Sequence, residues 1–486
     1  MTKHLYLIGL LPLAVVVACS SSSTEPTAVD PRAPTPKEWD REIARPDDGA
    51  AESKRTSCGF ARGAMPAETL GKSVPVGGDI PIDTVVILMQ ENRSFDHYFA
   101  HLGKFAKRDD IDGAPDTAVE VDKAGATHAF HRAEHMCFLD TNHEWSGTHA
   151  QINGGKMDGF FDTNQGHSEL LPDMPMELQN GERALSYYDE KELPFYYGLA
   201  STFGIGDRYF CSVPGPTWPN RMYLYAATSF GCTSNTLPDT SAFPYPDSEG
   251  MIFDELEKRH VDWNIYGDGA RGAAVVAGTR IVNRWERPVT FSIADFYAQA
   301  AAGKLPSVAF VDPKLFSSGA GQDDEHPPGN VQVGQKFVHD VVAAMMKSPQ
   351  WKRSALFITY DEHGGIYDHV APPKGCAPDG VAPKFEPGEE TTEGGFDQLG
   401  VRVPIIVVSP FAKKSFVSHV QHDHTSITRF LETRFKLPAL TARDANADPM
   451  LEFFDFQNPP FLTPPALPDA VVDQAELDYC VKTFTR

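Results

Sequence analysis

Glu91 and Asn92 stand one residue beyond an apolar run, Thr84-Val85-Val86-Ile87-Leu88-Met89. Asp361 and Glu362 stand directly behind a second, Ala355-Leu356-Phe357-Ile358-Thr359-Tyr360. Carboxylate and amide oxygens are hard donors that suit a divalent cation, and an Asn amide N–H can also donate to an anionic oxygen. Two adjacent carboxylates at a strand end are costly unless a cation neutralises them. The plainer alternatives are local: Asn92 and Ser94 are both good helix caps, Asp361 suits a turn, and Glu362 could face water. Between the two acidic sites lies Gly215-Pro216-Thr217-Trp218-Pro219-Asn220-Arg221, just ahead of an apolar helical pattern. A hydroxyl at a helix N-terminus meets free N–H groups and a positive dipole end, which stabilise an alkoxide or a bound phosphate. As a plain N-cap, Thr217 would need no further role. His143, in Asp140-Thr141-Asn142-His143-Glu144-Trp145, and His326, in Asp323-Asp324-Glu325-His326-Pro327-Pro328, sit in loops among acidic or amide neighbours. His422 and His424 precede a helical pattern and rank lower, as helix-end residues. None of these has the spacing of a helical zinc site.

The elements that must position these groups read as alternating strands and helices. Apolar runs at 83–89, 307–312, 355–360 and 404–409, with a further candidate at 261–266, fit strands covered on both faces, as in a mainly parallel sheet. Helical periodicity appears at 250–260, 335–347 and 425–435. The expectation is an α/β protein, a three-layer α/β/α sandwich with a mainly parallel central sheet and long loop insertions. In such sheets ligands bind at the carboxyl ends of the strands, where both acidic sites fall. The Pro-, Gly- and Glu-rich stretch 371–400 follows the second site and is expected at the pocket mouth. The Pro-rich stretch 458–468 is expected to run extended over the surface.

The chain has 486 residues, with 41% hydrophobic content and 31 Phe, enough for a large core. Its 43 Lys plus Arg against 66 Asp plus Glu give a formal charge of −23, which argues against nucleic-acid binding. Only local positive charge or a metal could hold a phosphate in such a chain. Lys3 and His4 precede an apolar run, residues 5–18, of signal-peptide length, ending Val16-Val17-Ala18-Cys19-Ser20. This resembles a bacterial lipobox, with Cys19 acylated; the alternative is a cleaved signal peptide with an incidental Cys. The expected division is a signal peptide over 1–18, a lipidated, disordered tether over 19–55, and a single domain with insertions over 56–486. The protein would then be exported and held on the cell envelope, at the outer membrane, or secreted, with Cys19 lipid in the bilayer. Of the seven Cys, setting Cys19 aside leaves an even number, so up to three disulfides are expected, with Cys211 paired to Cys232.

The motifs together carry a resemblance. Gln90-Glu91-Asn92-Arg93-Ser94-Phe95-Asp96-His97-Tyr98-Phe99, Asn142-His143-Glu144-Trp145, Gly215 to Arg221, Asp324-Glu325-His326-Pro327-Pro328 and Tyr360-Asp361-Glu362-His363-Gly364-Gly365 resemble, in content and order, the phosphoesterase family of bacterial and plant non-specific phospholipases C and bacterial acid phosphatases. The resemblance implies an alkaline-phosphatase-like core and one divalent metal ion held by Glu91, Asn92, Thr217, Asp361 and Glu362. It implies Thr217 as nucleophile, with His143 and His326 contacting phosphate or moving protons, and Asn92 also facing the substrate. Acid phosphatases of the family carry Ser at the nucleophile position and phospholipases C tend to carry Thr, so the leaning is to a phospholipase C that releases diacylglycerol. The alternative is an acid phosphatase acting on soluble phosphomonoesters. The resemblance does not reach the long C-terminal part of the large haemolytic members, so haemolysis is not among the expectations. Trp145 and Trp218 flank the proposed site and could line it for a choline headgroup by cation–π contact, or belong to the core. A silent binding module with this fold is disfavoured by the presence of all five ligand residues.

Overall fold

A computed structural model describes residues 42–168, 170–236, 250–268, 288–315, 322–385 and 394–484. The stretch expected as a signal peptide, Cys19 and the expected tether up to residue 41 lie outside the described residues. Eight strands form one sheet: β1 Thr84–Gln90, β2 Gly204–Gly206, β3 Trp263–Tyr266, β4 Thr290–Phe291, β5 Val308–Val311, β6 Ser354–Tyr360, β7 Ile405–Val408 and β8 Phe416–Ser418. Their order is β8-β2-β7-β6-β1-β5-β3-β4. All run the same way except β7, which is antiparallel to both β6 and β2. β1 and β6 are buried along their whole length, so helices must cover both faces. In β1 alone Val85, Val86, Ile87, Leu88 and Met89 leave water, each worth roughly 1.5–3 kcal/mol.

The covering helices fall into two packed groups. α1 Phe95–Phe99 and α2 Trp145–Ile152 follow the first two site motifs. α3 Pro194–Thr202 and α6 Val331–Lys347 pack together, and α4 Thr217–Ala226 packs with both α5 Ile252–Lys258 and α7 His424–Phe435. With the sheet between them this is the expected three-layer α/β sandwich. α6 begins earlier than its periodicity suggests, because Asn330 caps it by accepting from the Gln332 N–H. Asp423, rather than either neighbouring histidine, caps α7. Among the described residues no helix is long and apolar enough to cross a membrane.

Two expectations are corrected. The disulfides join Cys58 to Cys376 and Cys137 to Cys480, while Cys211 and Cys232 are both buried thiols not joined to each other. The Cys211 thiol turns to the Val213 carbonyl at 3.4 Å, and Cys232 pairs through its backbone with Lys384. The stretch expected as tether is structured at its end: Asp48–Thr56 is a helix with Ala51 buried. Arg45 donates to the carbonyls of Gly71 and Val74, and Asp48 accepts from the Ser73 N–H, which fastens this segment to the body.

The loop over 371–400 folds back on the second site motif's neighbours where it is described. Phe385 and Phe396 pack on Trp145, and a Cβ at Gly394 would lie 2.7 Å from His149 Nε2. Residues 386–393 lie outside the described ones. In the Pro-rich stretch, the Phe461 carbonyl accepts from Trp351 Nε1 at 2.8 Å.

Candidate active site

β1 and β6 are direct neighbours, and their register sets Gln90 beside Tyr360. The next residues, Glu91 and Asp361, therefore leave the sheet side by side. Asp361 Oδ1 accepts from the backbone N–H of Asn92 at 3.2 Å and of Glu362 at 2.8 Å, locking the two strand ends together. Asn92 takes a left-handed conformation, φ +64°, rare for a residue with a side chain. It is held by Gly364, where a Cβ would sit 2.5 Å from the Asn92 carbonyl oxygen. Glu362 Oε2 accepts from the Gly364 N–H at 2.6 Å, and Glu362 Oε1 lies 4.0 Å from His143 Nε2.

Thr217 opens α4 and Arg221 stands one turn on, on the same helix face. The Arg221 guanidinium is fully buried. Its Nε donates to Asp361 Oδ2 at 3.0 Å, its Nη2 to Glu91 Oε1 at 3.3 Å, and its Nη1 lies 3.5 Å from Asp312 Oδ1. That face of α4, with Thr217 at its start, is thus drawn over the two strand ends. Asp312 follows β5, the neighbour of β1 on its other side, and adds a third carboxylate at the same end of the sheet.

The histidines converge from separate loops. His143 Nδ1 faces the Thr141 carbonyl at 2.7 Å, which leaves Nε2 toward Asn92 Nδ2 at 3.2 Å. His326 Nδ1 faces the Pro327 carbonyl at 2.6 Å. In each neutral ring the carbonyl selects the Nδ1–H tautomer, so any further proton would be carried on Nε2. The two rings meet edge to face, centroids 5.5 Å apart, and donor atoms of Asp140, His143 and His326 lie within 4.8 Å of one another. His424 Nε2 donates to the Asp361 carbonyl at 2.7 Å and so supports the second acidic motif from behind.

Burial dominates the electrostatics. It pushes Asp361 up to about 6 despite the opposing Arg221 charge, and raises Glu91 against the same cation. Asp324, buried and repelled by Glu91, is held well above the usual carboxylate range, and its Oδ2 has no hydrogen-bond partner. Burial drops His363 to about 3 and His424 to about 4, so neither carries charge near neutral pH.

Asn92 Oδ1 is a buried amide oxygen with no hydrogen-bond partner. An orphaned acceptor on the residue that joins β1 to Asp361 is what an oxygen-ligated cation would satisfy. The donor set Glu91, Asn92, Thr217, Asp361 and Glu362 is all oxygen and so suits a hard metal ion in chemistry, while the possible ligand atoms that crowd within 4.8 Å of one another beside it are those of Asp140, His143 and His326. Trp145 is different: it is fully buried among Val213, Tyr223 and Phe396, and offers no open face to a headgroup. Trp218 is also buried, with its backbone N–H bound to Asn235 Oδ1 at 3.0 Å.

Arg221, Asp312, Asp324 and Glu325 were not singled out from sequence. For Arg221 the available signal was its place four residues after Thr217; for Asp312, its place behind another apolar run. Glu325 carried none, being one of three consecutive acids. Its carboxylate is fully buried and accepts from the hydroxyls of Tyr98 at 2.5 Å, Tyr360 at 2.8 Å and Tyr196, and from Gln90 Nε2 at 3.2 Å.

An α/β sandwich with buried carboxylates behind its central strands, a hydroxyl at a helix start and two imidazoles from neighbouring loops is the frame of a protein that its family and relatives show to be a hydrolase acting on ester bonds. The sequence profile of the phosphoesterase family matches residues 82–438, and the chain belongs to that family. It is 33% identical over 403 residues to non-specific phospholipase C1 of Arabidopsis thaliana, covering 78% of this chain and 72% of that protein. It is 32% identical over 439 residues to phospholipase C B of Mycobacterium tuberculosis, covering 79% and 80%. Among solved structures, an alkaline phosphatase superfamily protein from Vibrio parahaemolyticus matches with a TM-score of 0.36 and 10% identity, over 82% of this chain and 76% of that one.

Proposed function

We propose that this protein is a phospholipase C that uses Thr217 as nucleophile and one divalent metal ion, releasing diacylglycerol and a phosphorylated headgroup. What supports this is the pairing of β1 with β6, which brings the Asn92 N–H onto Asp361, and the bridge that Arg221, four residues after Thr217 on α4, makes to both Glu91 and Asp361. The phospholipase C relatives support the choice of substrate.

An ion held by Glu91, Asn92, Thr217, Asp361 and Glu362 would supply charge neutralisation and a lowered pKa for the Thr217 hydroxyl. Thr217 Oγ, held deprotonated, attacks phosphorus as the alkoxide, and the bond from phosphorus to the diacylglycerol oxygen breaks. His326, protonated at Nε2, gives that proton to the departing alkoxide. A water then loses its proton to His326 Nε2 and attacks the phosphothreonine, which frees Thr217 and the headgroup phosphate. His143, protonated at Nε2 as well as Nδ1, and Asn92 through Nδ2 donate to the phosphoryl oxygens and orient them. The same reading makes the protein an exported lipoprotein, held to the bilayer by an acylated Cys19.

The test incubates purified protein with defined phospholipids and, separately, with a phosphomonoester, with and without a strong chelator. Diacylglycerol is the expected product; inorganic phosphate from the monoester alone would make the protein an acid phosphatase. Thr217→Ala is expected to lower turnover on the order of 10³-fold or more with the fold intact. Near-normal turnover of that variant, or full activity in verified metal-free protein, would overturn the assignment. Mass spectrometry of Cys19 reads the lipid directly.

A further inference from the structure

Four elements end on one carboxylate. Gln90, the last residue of β1, and Tyr360, the last residue of β6, both donate to Glu325, as do Tyr98 from α1 and Tyr196 from α3. Each strand-end donor immediately precedes a proposed ligand: Gln90 precedes Glu91, and Tyr360 precedes Asp361. Glu325 itself immediately precedes His326. The backbone repeats the connection. Arg93, next to Asn92, donates through Nε to the Glu325 carbonyl at 3.0 Å, and the Glu91 N–H donates to the Asp324 carbonyl at 2.9 Å.

The arrangement is held against a cost. Glu325 has φ +71°, a left-handed conformation that a residue with a long side chain rarely adopts. Such a conformation persists only where its surroundings over-determine it. The space for the carboxylate arm is made by Gly334 on α6, where a Cβ would fall 2.0 Å from Glu325 Cγ. An uncharged amide of the same shape would keep the volume but present one oxygen, not two, to three phenols and a carboxamide.

We propose that Glu325 is the positioning residue of this site: through Gln90, Tyr360, Tyr98 and Tyr196 it sets His326 at a fixed place relative to Glu91 and Asp361. It touches no substrate; it acts through His326. This rests on the assignment of His326 as the group that protonates the leaving alkoxide. A displaced acid matters most where the leaving group is poor, and little where the leaving group departs unaided.

The experiment uses a matched pair of substrates with the phosphoryl headgroup that wild type cleaves, one losing diacylglycerol and the other losing p-nitrophenol. Glu325→Gln is expected to lose about 10- to 100-fold more turnover on the first than on the second, the range of a mispositioned general acid. Its bound metal, measured by elemental analysis, should match wild type. Tyr196→Phe, which removes one donor and keeps the carboxylate, should shift the same ratio in the same direction by a smaller factor; it decides the matter if Glu325→Gln does not fold. Equal losses on both substrates for these variants, with the selective loss present in His326→Asn, would overturn the role of Glu325. Equal losses in His326→Asn itself would instead remove His326 as the acid, and the inference with it.

Discussion

Replacing Arg221 by Met tests the electrostatic logic of the site most directly. The guanidinium is fully buried, and the three carboxylates it faces are each no more than 2% exposed. Those charges raise the Arg221 pKa further, so it stays protonated at any relevant pH. Met keeps most of the side-chain volume and removes the charge. Breaking a buried ion pair from one side costs about 3–5 kcal/mol, because the abandoned carboxylates cannot reach water. In chelator, Arg221→Met should therefore lose about 3–5 kcal/mol of unfolding free energy in urea. A divalent cation then does more for the variant than for wild type, since one competing positive charge is gone. Ion affinity should rise about tenfold or more, narrowing the deficit by at least about 1.4 kcal/mol when metal is saturating. Arg221→Lys keeps the charge without the fork and should fall between. A variant within about 1 kcal/mol of wild type in chelator, or one that binds the ion more weakly, would refute the idea that Arg221 is the resident counter-charge.

Gly364→Ala would press on the Asn92 carbonyl at a position with φ +69°; we expect a loss of about 1–3 kcal/mol and weaker metal binding, read by titration calorimetry. His369 lies between Asp96 and Asp112; burial lowers its pKa, but the hydrogen bond and charge of Asp96, aided by Asp368 and opposed by Arg402, lift it from 6.5 to about 9. A raised folded pKa means its stabilisation is complete below pH 6.5 and is lost as pH climbs through about 9. Urea midpoints should show that decline in wild type, and a flatter profile in His369→Gln. Trp145→Ala should cost about 3–5 kcal/mol as a core deletion while leaving the ranking of headgroups in a mixed-lipid assay unchanged.

The strands that carry the site were legible because continuous apolar runs admit few other placements, and the acids behind them stood out against those runs. That Glu91 and Asp361 are neighbours was not legible, since it depends on β1 and β6 pairing residues 270 positions apart. Nor was the reversed direction of β7: Ile405–Val408 is apolar on both faces, and such a run has no polarity to betray its sense. Arg221 was visible only as part of a motif, because its three partners stand just behind three different strands. Glu325 was hidden more deeply, for its donors lie 129 and 227 residues away in Tyr196 and Tyr98. The pairing of cysteines separated by 318 and 343 residues likewise has no local trace, whereas Cys211 and Cys232 looked well placed and are not bonded.

The two disulfides interleave, Cys58 with Cys376 and Cys137 with Cys480. Together their spans overlap without a gap from residue 58 to residue 480. A protease that nicks the chain once at any bond in that interval leaves two fragments still welded to each other. An encounter that would shed half of an unlinked protein leaves this one in a single covalent piece until its sulfurs are reduced.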